Sequence, residues 1–412
     1  MNYQIEGSTL SKAARAVKSI AGSKYMPALR HTRIDTDTEG IEMNATNLET
    51  WIRYRIDAAT GCAYEVAHTF IEADRLAGAV KSLKGSQHVR LDEGVLQIGG
   101  ATIAGAEDIE ADYPELPAFG RSHDVMSWSG AEFKAIVKRF NATGKKAGQT
   151  TRLNLTCANV EYNDAGTGAR FITTDGYSLN CEAYGEALPS VTVKRAGDES
   201  IATHDIRGAL VPIDALIKCA SAASMSDVVQ LGFIDALPDP YNQHGMKYAR
   251  IRITSRAGSI HYWIRTIAED FPDFQRVIPK ASSATASITV DPADLARITS
   301  AAREVAPDDT RAVTLTIEAD GGYNFAGAPA LSLRVSAESI AGSYSEVIDI
   351  LSRNNYANAS IEATVFSADY LKALAGFGSA PITLHFQGPL QALRIDYGPD
   401  QVAVLMPLNL KK

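Results

Sequence analysis

One hydrophobic pattern recurs six times along the chain: an apolar strand end, a short polar or acidic step, then an amphipathic helix. The copies begin at Ile5, Ile71, Trp128, Val211, Val290 and Phe366. Five residues later each copy has a large apolar residue: Leu10, Leu76, Phe133, Leu216, Leu295 or Leu371. Further apolar or small residues follow at helical spacing, such as Ala14 and Val17, Val80 and Leu83, Val137 and Phe140, and Leu374 and Ala375. One apolar helix face per copy is predicted. Five copies place an acid in or near the first turn, at Asp74, Glu132, Asp214, Asp294 and Asp369, where the helix dipole favours negative charge.

Between these helices apolar and polar residues alternate, as in Arg53–Ile56, Ala249–Ile253 and Thr314–Ile317, which read as strands. Gly, Asn and Asp punctuate them, as in Asn163-Asp164-Ala165-Gly166 and Asp320-Gly321-Gly322, which read as turns. The fold class is α+β, with more strand than helix. Each pair of repeats makes one domain, with two helices on one face of its sheets. Three domains are expected, at 1–122, 123–281 and 282–412, with linkers around Ser122-His123 and Ala281-Ser282-Ser283-Ala284.

A length of 412 residues fits several domains, and 45% hydrophobic with 21% charged residues is ordinary globular composition. No apolar run reaches the roughly 18 residues of a membrane span. The first residues lack a basic and then apolar leader pattern, so a cytoplasmic protein is expected. Cys62, Cys157, Cys181 and Cys219 form no CxxC pair; buried reduced thiols are expected, with neither metal nor disulfide framework. The net charge of -8 by itself argues against nucleic acid. Its distribution does not. Segments 11–24, 72–84, 132–146, 212–224, 291–304 and 368–375 hold 16 basic and 8 acidic residues, whereas the rest holds 24 and 40. Basic helices on an acidic chain would give a positive track that attracts phosphates without reading bases. The candidates are Lys12, Arg15, Lys18, Lys24, Lys81, Lys84, Lys134, Lys138, Arg139, Lys145, Lys146, Gln149, Arg152, Lys218, Arg297, Arg303 and Lys372.

Five stretches are familiar: Asn44-Ala45-Thr46-Asn47-Leu48-Glu49; Ala111-Asp112-Tyr113-Pro114-Glu115-Leu116-Pro117; Phe171-Ile172-Thr173-Thr174-Asp175-Gly176-Tyr177-Ser178-Leu179; Asp270-Phe271-Pro272-Asp273-Phe274-Gln275-Arg276-Val277-Ile278-Pro279-Lys280; and Val404-Leu405-Met406-Pro407-Leu408-Asn409-Leu410. With them the whole chain resembles the bacterial DNA polymerase III beta subunit, the DNA sliding clamp family, as a divergent member. The resemblance implies three domains of DNA-clamp topology. It implies a head-to-tail homodimeric ring with helices inside and sheets outside, closed around duplex DNA. The partners it implies are the replicative polymerase, a clamp loader and other proteins with clamp-binding peptides. Their pocket would comprise Leu153, Thr174, Gly176, Tyr177, Leu179, Pro272, Arg276, Val277, Val404, Leu405, Met406, Pro407 and Leu408. The dimer interface would include Tyr113, Pro114 and Leu116 on one side and Arg303 and Val305, after a helix, on the other.

The chain departs from the family at Tyr177-Ser178, where His-Arg is usual, and at Asn409, where Arg is usual. It also departs in its ending at Lys411-Lys412 and in an enlarged loop from Asp235 to Lys247. These departures leave room for an altered partner repertoire.

Catalytic motifs are missing: no GxxxxGK[ST], GxSxG or HExxH occurs. Asp35-Thr36-Asp37-Thr38-Glu39-Gly40 opens like a calcium loop, but Thr46 stands where a bidentate Glu is needed, so a hairpin turn is expected. Asp175 is the most conspicuous single carboxylate. A β-rich hydrolase using paired carboxylates is the enzymatic alternative, and it leaves the repeats unexplained. No catalysis, cofactor or metal is expected.

Overall fold

The computed structural model describes residues 2–22, 26–57, 61–62, 67–92, 94–120, 122–146, 148–163, 166–186, 188, 206–237, 246–323, 329–354 and 361–409. Lys24, Asp164, Ala165, residues 238–245 of the enlarged loop, and Leu410, Lys411 and Lys412 lie outside them, as does the side chain of Cys62.

Each repeat forms the expected strand-to-helix step. Asn2–Glu6 runs into α1 (Gly7–Ile20), Ala67–Glu72 into α2 (Ala73–Val80) and His123–Ser129 into α3 (Gly130–Thr143). Ile206–Pro212 runs into α4 (Ile213–Ala222), Ala286–Val290 into α5 (Pro292–Val305) and Ile361–Ser367 into α6 (Ala368–Ala375). The shared apolar position is buried in every copy: Leu10, Leu76, Leu295 and Leu371 are 0% exposed, Phe133 3% and Leu216 4%. Burying one such side chain contributes about 1.5–3 kcal/mol, which holds a short helix on its sheet better than propensity alone. The five acids all occupy first turns. Glu132 closes a capping box on α3: the Ser129 N–H donates to its carboxylate at 2.8 Å, and its own N–H donates to Ser129 Oγ at 3.3 Å. On α5, Asp291 accepts from the Ala293 N–H and Pro292 pre-sets the first turn.

The chain divides into two compact units. Unit 1 comprises Met1–Lys138, Glu161–Ala169 and Leu188–Ala268; unit 2 comprises Arg139–Val160, Arg170–Ala187 and Glu269–Lys412. In unit 1 an eight-stranded antiparallel sheet has the order His123–Ser129, Val228–Asp235, Lys247–Ser255, Gly258–Arg265, Thr50–Asp57, Gly40–Thr46, His31–Thr36, Ala67–Glu72. A second sheet runs from Gly61–Cys62 through Asn2–Glu6, Ser86–Asp92 and Val95–Ile98 to an edge at Ala101–Ala104. The alternation read from the sequence is the inside–outside alternation of these strands, as in the intermediate–buried repeat of His31–Thr36.

In unit 2, Ser178–Gly185, Gln401–Leu405, Leu393–Gly398, Ile382–Phe386, Ala286–Val290 and Ser352–Asn354 follow one another in one sheet. A four-stranded sheet runs from Ile361–Ser367 through Ala312–Tyr323 and Pro329–Ser339 to an edge at Gly342–Asp349. Their core is built on Leu295, Ile298, Leu315, Leu333, Phe366 and Leu371.

Two readings need correction. Asp320-Gly321-Gly322 is not a turn: the strand Ala312–Tyr323 runs through it, with its register shifted between Ala319 and Tyr323. A register irregularity takes up the extra residues without ending the strand. Arg303 and Val305 do not follow α5 but form its last turn. The calcium-loop look-alike is the expected hairpin. Asp37 accepts the N–H groups of Glu39 and Gly40 at 2.8 and 3.0 Å, and is gripped by both terminal nitrogens of Arg55. That guanidinium holds the Asp37 carboxyl down at about 2.

Candidate functional site

The expected pocket residues all belong to unit 2, and backbone hydrogen bonds tie their segments together. Strand pairing sets Ser178 against Leu405 and Leu179 against Val404; beyond it the Met406 N–H donates to the Tyr177 carbonyl at 2.9 Å. Leu179 and Val404 are buried with Phe274, Ile172 and Cys181, and Val277 folds back with its N–H on the Phe274 carbonyl. The Asn154 N–H and side-chain amide donate to the Glu269 carboxylate and the Asp270 carbonyl, at 3.1 and 2.8 Å. Leu153 is thereby held near the Pro272 segment. The Leu408 N–H donates to Val365 at 2.8 Å and anchors the end of the last segment.

Each tied segment leaves one large apolar side chain in solvent: Leu153 is 50% exposed, Tyr177 60%, Val277 44% and Met406 41%. Exposed apolar side chains on segments tied to one another make a candidate binding surface. Gly176 and Pro272 are exposed, Pro407 and Leu408 half-buried, and Thr174 and Leu405 buried beneath. Arg276 is exposed and paired with Asp273 at 2.9 Å. Asn409 is exposed.

Asp175 organises the turn at the groove. One carboxylate oxygen accepts the N–H groups of Tyr177 and Ser178 at 2.9 and 2.8 Å and the Ser178 hydroxyl at 3.1 Å. The other accepts from the Tyr370 hydroxyl on α6 at 2.5 Å. Burial, then the hydrogen bond to Asp175, pushes the Tyr370 phenol well above its ordinary range. Asp175 is therefore a structural acceptor with both oxygens engaged, and Tyr370 is a partner of this turn that linear reading misses. Its ring lies 6.4 Å from that of Tyr177, and nothing in its helical context distinguishes it from any half-buried helix tyrosine.

The basic candidates sort by their partners. Among the described residues Arg15, Lys81, Lys84, Lys134, Lys138, Lys145, Lys146, Arg152, Lys218 and Lys372 take part in no ion pair. Gln149 is exposed beside them in sequence. Lys12 bridges to Asp227 at 3.3 Å and Lys18 to Asp74 at 2.5 Å. Arg297 is held by Glu346 and Asp294, and Arg303 by Asp369 and Glu304.

Arg139 leaves the list. It points into unit 2, where Nε and Nη2 donate to Glu182 at 2.6 and 2.7 Å, and Glu182 is 0% exposed. A buried carboxylate needs such a partner, and helix periodicity alone could not show that this cation faces inward.

Tyr113 caps its own unit. Its hydroxyl donates to the Asn44 carbonyl at 3.0 Å, and its ring tilts on Phe70 at 5.1 Å. With Pro114 and Leu116 it lines a cleft on unit 1. Sequence reasoning missed the edge strands Ala101–Ala104 and Gly342–Asp349, because an edge is a property of the assembled sheet. The second edge exposes Val347, and Ile340 stands fully in solvent just before it.

Cys157, Cys181 and Cys219 are buried thiols, and burial pushes the Cys157 thiol up to about 11. No group of three His, Cys, Asp or Glu residues among the described ones is placed to hold a metal. No described helix is long and apolar enough to cross a membrane.

No protein-family profile and no curated protein matches the chain. Solved structures match it end to end. The DNA polymerase III subunit beta of Pseudomonas aeruginosa is 18% identical, with 100% of both chains covered and a TM-score of 0.73. The DNA polymerase sliding clamp of Bacillus subtilis is 15% identical, with 100% of both chains covered and a TM-score of 0.76. The DNA polymerase beta subunit of Streptococcus pyogenes is 15% identical over 99% of this chain and 100% of that one, with a TM-score of 0.75. The chain has the fold of the bacterial DNA polymerase sliding clamps.

Proposed function

We propose that this protein is a sliding clamp: a non-catalytic processivity factor that encircles duplex DNA as a head-to-tail homodimer. Each subunit would contribute three domains, 1–122, 123–281 and 282–412, with α1 to α6 toward the DNA. The observation that carries the reading is the groove. Four exposed apolar side chains, Leu153, Tyr177, Val277 and Met406, stand on four cross-tied segments at positions where the resemblance implies a peptide pocket. A linear peptide anchors aliphatic or aromatic side chains in such a site.

The ring would close by joining the edge at Ala101–Ala104 of one subunit to the edge at Gly342–Asp349 of the next, hiding both. The interface residues expected from sequence, Tyr113, Pro114 and Leu116 with Arg303 and Val305, lie outside these two edge strands. Inside the ring the lysines with no ion pair among the described residues would touch phosphates loosely and through water, so that sliding stays easy. The polymerase, tethered through the groove, would rebind the primer end at high effective concentration after each release. Loading would fall to a separate ATP-driven partner, and the setting would be the cytoplasm.

Tyr177, Ser178 and Asn409 favour a second reading, a clamp-fold interaction protein with other partners, because the groove rim lacks the usual basic groups. One preparation tests both. Light scattering should give a mass near twice 44.1 kDa. A labelled peptide carrying a replicative polymerase's clamp-binding segment should bind, and Met406→Ala should weaken it roughly tenfold. A monomer without peptide binding sinks the clamp reading; a dimer that ignores the polymerase peptide favours the second. Lys145→Glu with Lys146→Glu should weaken DNA loading and lower the slope of log affinity against log salt by about 2. An unchanged slope removes these lysines from the track.

A further inference from the structure

Unit 1 contains a second turn built like the one at the groove. In Thr46–Thr50 the Thr46 hydroxyl donates to the Thr50 carbonyl at 3.1 Å and accepts the Leu48 N–H at 2.9 Å. The Asn47 side-chain oxygen accepts the N–H groups of Glu49 and Thr50 at 3.1 and 2.8 Å. In Thr174–Ser178 the Thr174 hydroxyl donates to Ser178 at 2.7 Å and accepts from Gly176 at 3.1 Å, with Asp175 in the place of Asn47. The third turn residue has positive φ in both, +73° at Leu48 and +92° at Gly176. The neighbouring strand also repeats: Arg265 N–H donates to the Glu49 carbonyl as Met406 N–H does to Tyr177. Trp263 pairs with Trp51 as Val404 pairs with Leu179. The segment Asp112-Tyr113-Pro114-Glu115-Leu116 likewise echoes Asp270-Phe271-Pro272-Asp273-Phe274.

Beside this second turn lies a cleft of about 450 Å³, within the size range of ligand sites. Its walls are aromatic, with Trp51, Trp263, Phe70 and Tyr113. Its charged groups are the carboxylates of Asp35, Glu42, Glu110 and Glu115 against the guanidiniums of Arg33 and Arg53. Asp35 is paired with Arg33 at 2.8 Å and Glu42 with Arg53 at 3.1 Å, and Glu110 lies 2.9 Å from the His68 ring, so the carboxylates in excess of the arginines are Glu110 and Glu115. The Arg53 guanidinium already lies 5.6 Å from the Trp263 ring centroid, so this wall accommodates a cation. Trp51 is 8% exposed, and its indole N–H has no hydrogen-bond partner among the described residues. A buried donor left without a partner costs stability unless something else accepts from it.

We infer that this cleft is a second ligand site, taking a short extended peptide that carries an arginine or lysine side chain. The basic side chain would be drawn by the Glu110 and Glu115 carboxylates and seated against the tryptophans. The choice of a peptide rests on reading the unit 2 groove as a peptide groove, because the two turns share one construction.

The test uses the full-length protein and the probe acetyl-leucyl-arginyl-leucine amide, followed by intrinsic tryptophan fluorescence. Saturable binding is expected, weakened at high salt. Replacing the probe's arginine by citrulline, or Glu110→Gln with Glu115→Gln in the protein, should weaken it roughly tenfold. Both glutamates are exposed, so these variants keep the fold. Met406→Ala should leave binding unchanged. No saturation at millimolar probe overturns the inference. So does binding lost with Met406→Ala but not with the glutamate variants, which would put the probe in the unit 2 groove. The polymerase-peptide titration is read separately, so failure of one site does not imply failure of the other.

Discussion

The turns at Thr46–Thr50 and Thr174–Ser178 share their hydrogen bonds, yet their surroundings are opposite. In unit 2 the strands beside the turn present Leu179 and Val404, and the returning segment leaves Val277 in solvent. In unit 1 the same places hold Trp51, Trp263 and Phe119. Phe119 stacks on Trp263 with centroids 5.9 Å apart and planes at 7°, and meets Tyr248 edge-on at 5.3 Å. Around the aliphatic pair, the side chains of Leu153, Tyr177, Val277 and Met406 are left exposed. Aromatic residues fill the same ground and move the open space toward the charged cleft. One backbone construction thus yields two surfaces, and side-chain volume decides which is open.

The largest expected effect is at the second residue of each turn. Asp175→Ala removes a buried acceptor of four hydrogen bonds and strands the Tyr370 hydroxyl. It should destabilise unit 2 by about 3 kcal/mol in urea unfolding. Asn47→Ala removes two bonds at a more exposed turn and should cost about 1 kcal/mol. Equal costs would mean that the Tyr370 link contributes nothing and the turns are energetically alike.

Next comes the residue that closes or opens each site. Phe119→Ala should cost about 2 kcal/mol of stability, since a half-buried stacked ring is lost. Val277→Ala should cost under about 0.5 kcal/mol in stability while weakening the polymerase peptide severalfold. If Val277→Ala were the more destabilising of the two, the assignment of packing to one turn and binding to the other would be reversed.

The smallest expected effect is a pH dependence confined to unit 1. His261 stacks on Trp263, and burial, followed by the charges of Arg252, Arg250 and Arg53, pushes its pKa down to about 4. The folded state then holds the ring neutral where the unfolded chain would protonate it. Stability from this source is complete above about 6.5 and is lost as pH falls from there toward 4. The ring is partly solvated, so the loss is small. His261→Gln should flatten the slope of unfolding midpoint against pH in that window; an unaltered slope would show that another group titrates there.

How much of this was legible beforehand differs between fold and site. The repeated strand-to-helix step, the buried Leu or Phe five residues in and the acidic first turns were readable, because helix and strand periods act locally. The groove segments were readable only through their resemblance to a known family. Periodicity cannot say that Leu153, Tyr177, Val277 and Met406, on four distant segments, would each be left exposed.

By itself, the sequence determined the six repeats and the α+β class, since both depend on neighbours within a few residues; of the basic residues counted into helical segments, Lys81, Lys84, Lys145 and Lys146 fall past the ends of α2 and α3. Tertiary structure alone decided that Arg139 turns inward to Glu182 while Lys145 and Lys146 have no ion pair among the described residues. It alone set which strands became edges, and that Tyr370 reaches Asp175 across 195 residues of chain. These outcomes depend on which distant groups meet, and burial then fixes the cost of leaving a charge or a hydroxyl without its partner.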